Sequence, residues 1–175
     1  MTEAELRTYV RDIPDFPKPG IIFKDITPLL AAGKALQAVV DTIADRYSGS
    51  VDMVLGIESR GFIIGAAVAY RLGLGLALVR KPGKLPHHKY AARYELEYGT
   101  DTLEIHRDAL GDKSRVLIVD DLLATGGTAS AAIELVRRLD GVVAACAFII
   151  ELDFLKGRNR LDVPEVFSLI RYAAE

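Results

Sequence analysis

The chain has 175 residues, half of them hydrophobic and 26% charged, with a formal net charge of −2 at pH 7. That length fits one domain spanning 1–175 with a core of its own. The mild acidity argues against a general nucleic-acid surface but leaves room for a small anion held by a local basic cluster. A single cysteine, Cys146, excludes an internal disulfide. M-T-E-A-E-L-R lacks the pattern of a signal peptide and no apolar run reaches the length of a membrane span, so a cytoplasmic protein is expected.

In chain order, Thr2 to Val10 reads as a short amphipathic helix, with Thr2 and Glu5 spaced as a capping box. Three prolines between Ile13 and Gly20 rule out a helix there and predict an extended arm. Ile21 to Ile26 is a short apolar run with charges inside it, which on pattern alone is an edge strand. From Leu29 to Tyr47, Leu36, Val39, Val40, Ile43 and Ala44 recur at helical spacing, and Ser48-Gly49-Ser50 ends that helix. Val51 to Ile57 is the next strand. It leads into a charged turn, Glu58 to Phe62, then a helix from about Ile63 to Leu72 closed by Gly73. Arg60 in that turn can fork onto two phosphate oxygens, although a lone arginine there is commonly just solvated. Leu76 to Val79 is a third strand, ending in Arg80, Lys81 and Lys84, which form either an anion site or a solvated loop. His87 and His88 lack a third ligand at zinc spacing. Tyr90 to Ile105 alternates, with Tyr94, Leu96 and Tyr98 on one side, Glu95 and Glu97 on the other, and a turn at Gly99-Thr100-Asp101. That pattern predicts a hairpin separate from the parallel sheet.

The most informative stretch runs from Arg115 to Thr128. Val116 to Val119 read as a strand buried on both faces, with Asp120 and Asp121 at its end. Ala124, Thr125, Gly126, Gly127 and Thr128 then form a tight turn into a helix reaching about Leu139. A glycine-rich turn at a helix N-terminus offers unpaired N–H groups and positive dipole to a phosphate. Two adjacent carboxylates beside it repel unless sugar hydroxyls or a divalent cation lie between them. A phosphorylated sugar supplies both features. The turn is not a Walker A loop, since no lysine follows Gly127, and Gly73-x-Gly75 has Leu78 where a dinucleotide fingerprint needs glycine. Val142 to Ile150 is a further parallel strand, whose apolar setting marks Cys146 as a buried thiol. Lys156-Gly157-Arg158 opens a polar connection, and Val166 to Ile170 closes the sheet. Alternating strands and helices predict a right-handed parallel α/β sheet with its ligand at the carboxyl edge.

V-D-D-L-L-A-T-G-G-T resembles the signature of the type I phosphoribosyltransferases, a specific motif of a strand, two acids and a 5′-phosphate loop. P-G-I-I-F-K-D-I-T-P, E-S-R-G-F, R-K-P-G-K-L-P and L-E-Y-G occur with it in family order, and together they resemble the adenine phosphoribosyltransferases over essentially the whole chain. The resemblance implies a parallel-sheet core with flanking helices, a flexible hood hairpin and an N-terminal base-covering segment.

It also implies an activity and roles. The reaction would be adenine plus phosphoribosyl pyrophosphate giving AMP and pyrophosphate. Asp120 and Asp121 would hold the ribose hydroxyls, directly or through metal-bound water, and Ala124 to Thr128 the 5′-phosphate. Ser59, Arg60, Arg80, Lys81 and Lys84 would meet the pyrophosphate, with Arg60 and Lys84 stabilising the leaving charge. A strained or cis peptide would fall at Ser59-Arg60. The backbone at Ile22 and Phe23 would meet the purine edge, with the Phe23 ring on one face of the base and Leu152 on the other. Lys24 departs from the arginine of many relatives. Glu97 would handle the proton at adenine's imidazole edge, and Tyr98 would close over the site. Mg²⁺ would ride on the pyrophosphate and ribose rather than on protein ligands, and a homodimer is implied, with no nucleic-acid or membrane partner. Two other readings stand beside this one: a 6-oxopurine enzyme, for which Lys156 stands near enough to the C-terminal strand, and a regulator that binds phosphoribosyl pyrophosphate without turnover.

Overall fold

The computed structural model describes residues 1–95 and 99–174. A five-stranded parallel sheet forms the centre. Its strands are β3 (Met53–Ile57), β4 (Gly75–Val79), β7 (Arg115–Leu123), β8 (Val142–Leu152) and β9 (Val166–Tyr172), in the spatial order β4-β3-β7-β8-β9. The order reverses direction between β3 and β7, and a crevice outside the carboxyl ends of strands at such a point is where ligands sit in open α/β sheets.

Alternation along β7 shows how the sequence divides the molecule. Leu117 and Val119 point into a core shared with α1 (Glu3–Arg7), α2 (Thr27–Ala31), α3 (Gly33–Tyr47) and α4 (Arg60–Leu72). Val116 and Ile118 point the opposite way, into a second core built with α5 (Gly127–Arg138) and with β5 (Lys89–Glu95) and β6 (Thr100–His106). Both faces of the strand are therefore dry, which is why its sequence is continuously apolar rather than alternating. Cys146 is fully buried in the second core, and burial pushes its thiol up to about 12.

β5 and β6 pair antiparallel as a separate two-stranded hairpin, as their alternation predicts. It is tied to the end of β4 by a bridge between Arg80 and Glu104. At the N-terminus, the Thr2–Glu5 capping box forms, though α1 stops at Arg7 rather than Val10. The proline-containing arm lies between β1 (Arg11–Ile13) and β2 (Phe23–Asp25), which pair antiparallel with each other.

Four further expectations are corrected. The helix expected over Leu29 to Tyr47 is two, broken at Ala32, whose extended backbone precedes Gly33, a poor helix former. Arg60 lies in the first turn of α4, not in a loop before it. The cis peptide lies at Glu58-Ser59, one bond earlier than Ser59-Arg60, and no proline marks it in the sequence. Asp120 and Asp121 do not end their strand. β7 continues to Leu123, because β8 is long enough to pair with Asp120, Leu122 and Leu123 and satisfies backbone groups whatever the side chains.

Candidate active site

β7 thus delivers two buried carboxylates to the sheet's carboxyl edge on paired backbone. Asp120 is 8% exposed and Asp121 6%. Asp120 Oδ1 accepts the Asp121 backbone N–H at 2.9 Å, and Arg60 Nε donates to Asp121 Oδ2 at 2.5 Å. Burial, reinforced by the neighbouring Asp121 charge, holds the Asp120 carboxyl well above the ordinary carboxylate range. α4 approaches so closely that a methyl at Gly61 would lie 2.8 Å from both Asp120 Oδ1 and the Val119 carbonyl.

Beyond Leu123 the chain turns through Ala124, Thr125 and Gly126, the last in the left-handed conformation at φ +83°, and enters α5 at Gly127. The first turn of α5 therefore presents its unpaired N–H groups toward the acid pair's side of the sheet. A cavity of about 320 Å³ lies there, lined by Asp120, Asp121, residues 122–129, Phe148, Glu58, Ser59, Arg60, Lys81 and Tyr94. The 124–126 loop is backed in turn by the segment after β8. A methyl at Gly157 would lie 2.0 Å from the Ala124 carbonyl, and one at Gly126 would lie 2.5 Å from the Gly157 carbonyl. Backbone on backbone at that distance leaves no room for any side chain.

The cations of the 80–84 stretch have different fates. Arg80 is clamped by Glu58, with Nε and Nη2 donating to its carboxylate at 3.3 and 3.2 Å, and Nη1 donates to the Lys84 carbonyl. Glu58 also accepts the Lys81 backbone N–H at 2.9 Å. Although burial alone would raise it, these bonds hold the Glu58 carboxyl below its ordinary value. The Lys81 ammonium is bonded to Tyr94 and Asp101. Lys84 is exposed, outside the cavity lining, and its ammonium carries no hydrogen bond or ion pair among the described residues.

On the other side of Arg60, its guanidinium sits 5.1 Å from the centre of the Phe23 ring, which in turn meets Phe16 edge to face at 5.2 Å. Phe23 and Ile22 are half-buried. Leu152, the last residue of β8, is half-buried against the first core and pairs with Tyr172. Neither Leu152 nor Ile22 lines the cavity, so of the expected base-contacting residues only Phe23 is tied to it, through Arg60. Lys24 is buried and occupied, with Nζ 2.9 Å from Asp12 Oδ1 and 4.3 Å from the Tyr172 ring centre. Lys156 is exposed in a left-handed turn between two short 3-10 segments. Glu97 and Tyr98 lie outside the described residues.

Sequence reasoning missed several residues that shape this site. Glu58 read only as part of a charged turn and Asp101 only as part of a hairpin turn, yet each holds a basic side chain. Gly157 read as part of a polar connection. Glu151, 3% exposed, accepts from Arg158 at 2.5 and 2.9 Å and from the Ser168 hydroxyl at 2.7 Å, fixing the turn that carries Gly157. Only Gly157 left a usable signal: a glycine between two cations has a backbone reason more often than a side-chain one.

A parallel sheet with an acid pair and a glycine-rich loop at its carboxyl edge, faced by Arg60 and Lys81, is the layout of the phosphoribosyltransferase class. The model of the phosphoribosyl transferase domain matches residues 24–170, and the chain belongs to that family, within it to the adenine phosphoribosyltransferases. The adenine phosphoribosyltransferase of Geobacter metallireducens is 58% identical over 96% of this chain and 99% of its own. Among solved structures, the adenine phosphoribosyltransferase of Thermoanaerobacter pseudethanolicus superposes with a TM-score of 0.94 at 51% identity, covering 98% of this chain and 100% of that one. The Saccharomyces cerevisiae enzyme, solved with an imino-altritol bisphosphate and adenine, gives 0.91 at 42% identity over 96% and 98%.

Proposed function

We propose that this chain transfers the 5-phosphoribosyl group from phosphoribosyl pyrophosphate to adenine, releasing AMP and pyrophosphate. The observation that carries this reading is one cavity in which the acid pair, the 124–128 loop and the Ser59, Arg60 and Lys81 side face one another. Such a cavity suits a sugar with a phosphate at one end and a diphosphate at the other. The near relatives named for adenine support the choice of base.

The bond from C1 of the ribose to the pyrophosphate oxygen breaks, a bond from C1 to an adenine ring nitrogen forms, and that nitrogen loses its proton. Positive charge grows on the sugar and negative charge on the leaving group. Asp120 and Asp121 hold the ribose hydroxyls and lie on the side that favours the developing cation. Backbone N–H groups from Ala124 to Thr128, with the Thr125 and Thr128 hydroxyls, anchor the 5′-phosphate, and that remote binding energy positions C1 for attack. Arg60, Lys81 and Lys84 take the leaving charge, with Ser59 and Arg80 shaping their side of the site. The Phe23 ring and Leu152 flank the base, whose edge the backbone at Ile22 and Phe23 reads. Glu97 takes the adenine proton and Tyr98 shields the site.

Among the described residues no group of three or more His, Cys, Asp or Glu side chains could enclose a metal ion. Two adjacent carboxylates, one already shared with Arg60, suit instead the outer hydration of Mg²⁺ carried in by the substrate. When bound, Mg²⁺ supplies further stabilisation of the pyrophosphate charge. We further propose a cytoplasmic homodimer. No helix of the described chain is long and apolar enough to cross a membrane, and Ile63 and Tyr70 of α4 are 48% and 90% exposed, which suits burial by a second copy.

AMP formation from adenine, hypoxanthine and guanine, each with phosphoribosyl pyrophosphate and Mg²⁺, tests this reading. Product from adenine, lost in Asp120→Asn/Asp121→Asn, is expected. Turnover confined to a 6-oxopurine would overturn the base assignment, and tight binding of phosphoribosyl pyrophosphate without turnover of any base would make the chain a regulator.

A further inference from the structure

Lys81 is the one cation of the 80–84 stretch whose side chain lines the cavity. Its ammonium has three donors, and two are taken. One goes to the Tyr94 hydroxyl at 2.8 Å and one to the Asp101 carboxylate. Tyr94 and Asp101 sit directly opposite each other across the β5–β6 hairpin, and the Tyr94 hydroxyl lies 3.3 Å from Asp101 Oδ2. The three groups close a triangle. Asp101 is fixed on its other side, where Oδ1 accepts the Thr102 N–H at 2.7 Å. Tyr94 is 8% exposed and packs against the start of α5, so the hydroxyl stands on a rigid post.

This arrangement sets a protein carboxylate against an ammonium that also faces the cavity, so an anion bound there competes with Asp101 for Lys81. The neighbouring cations differ. Arg80 is held by Glu58 through Nε and Nη2, outside the cavity lining, and Lys84 makes no ion pair among the described residues, its charge reaching Glu58 only at longer range. Lys81 and Asp101 are partly exposed, at 40% and 28% of their side chains, so their pair can open without leaving a charge stranded in a dry interior. A diphosphate carries several charges where Asp101 carries one.

We propose that Asp101, seated by Tyr94, is an internal competitor for Lys81 that weakens the grip on pyrophosphate and so speeds its release. This rests on the reading of Lys81 as part of the pyrophosphate side of the cavity. Pyrophosphate binding exchanges Lys81 from Asp101 to the ligand, and release returns it. Asp101 and Tyr94 are thereby positioning residues, acting on the ligand through Lys81. A carboxylate that merely oriented Lys81 toward the ligand would have the opposite sign.

The test is calorimetric titration of magnesium pyrophosphate into the full chain and its Asp101→Asn, Lys81→Met and double variants at fixed ionic strength, with ribose 5-phosphate as the second probe. Asp101→Asn is expected to lower the Kd for pyrophosphate about three- to fivefold, leaving that for ribose 5-phosphate within about 1.5-fold. Lys81→Met is expected to raise the pyrophosphate Kd, and adding Asp101→Asn to it is expected to change nothing further. Tyr94→Phe, which keeps the ring packing and removes the hydroxyl, is expected to tighten pyrophosphate more weakly, and it serves as the readout should Asp101→Asn fold poorly. Weaker or unchanged pyrophosphate binding in Asp101→Asn overturns the proposal, as does equal tightening in the Lys81→Met background, which would reflect general charge. An unchanged Kd in Lys81→Met alone overturns the assignment of Lys81 to pyrophosphate and the proposal with it.

Discussion

Asp120 carries a stability cost for the sake of the site. Its carboxyl is raised by burial and by Asp121, so the folded protein disfavours its charged form. For a carboxyl whose folded pKa exceeds its unfolded one, this penalty is absent below the ordinary carboxylate range and fully present above the folded pKa. Asp120→Asn is therefore expected to raise the melting temperature at pH 7 by about 2–4 °C, the shift that about 1 kcal/mol produces in a domain of this size, while abolishing turnover. The gain should shrink as the pH is lowered. Differential scanning calorimetry at several pH values checks it, and a loss of stability at neutral pH would contradict the account. Arg60 is the complementary case, spanning Asp121 and the Phe23 ring with one planar group. Arg60→Lys keeps the charge but cannot do both, and kcat/KM is expected to fall at least about a hundredfold. The importance of both residues was legible in the sequence because acids and arginines beside glycine turns are chemically conspicuous. The partnership between Arg60 and Asp121 was not, since nothing in a chain states which of several cations will reach which of several acids.

At the scale of elements, the 124–128 loop is shaped from behind by a turn that carries no motif of its own. Gly157→Ala sets a methyl against the Ala124 carbonyl, so the loop or the turn must move. The expected cost is about 1–3 kcal/mol of stability together with at least a tenfold rise in KM for phosphoribosyl pyrophosphate, measured by steady-state kinetics. Arg158→Met is expected to act more mildly in the same direction, because it strands the buried Glu151 carboxylate while Arg158 itself is partly solvated. An unaltered KM in both would separate the turn from the loop. The β-branched run of β7 announced a strand because two dry faces demand continuous apolar residues. Its extension through two aspartates was hidden, since it depends on the length of β8 rather than on β7's own residues. Single helices likewise look continuous when the interruption, as at Ala32, is a matter of backbone angles and not of side-chain period.

The whole molecule is expected to weaken in acid. Asp52 is lowered to about 2 by bonds from Arg115, and the carboxyls of Glu3, Asp25, Glu58, Asp101 and Glu151 also lie below their ordinary values. Groups shifted this way contribute stability that is complete above the unfolded carboxylate range and lost as pH falls through their folded values. They outnumber Asp120, so the melting temperature should decline steadily below about pH 4.5, and a flat profile down to pH 2.5 would contradict this balance. Alternating strands and helices made the α/β class legible from sequence alone. The placing of the β5–β6 hairpin over one face, and with it the partner of Lys81, depended on contacts between distant segments. The contact of Gly126 with Gly157 has one further consequence, for the order in which the molecule is made. A ribosome exposes the complete 120–128 motif about thirty residues before it exposes the turn that backs it. During that interval the growing chain owns every residue of its most recognisable motif, yet the surface that moulds the loop does not exist, so the loop can take its final shape only late in synthesis.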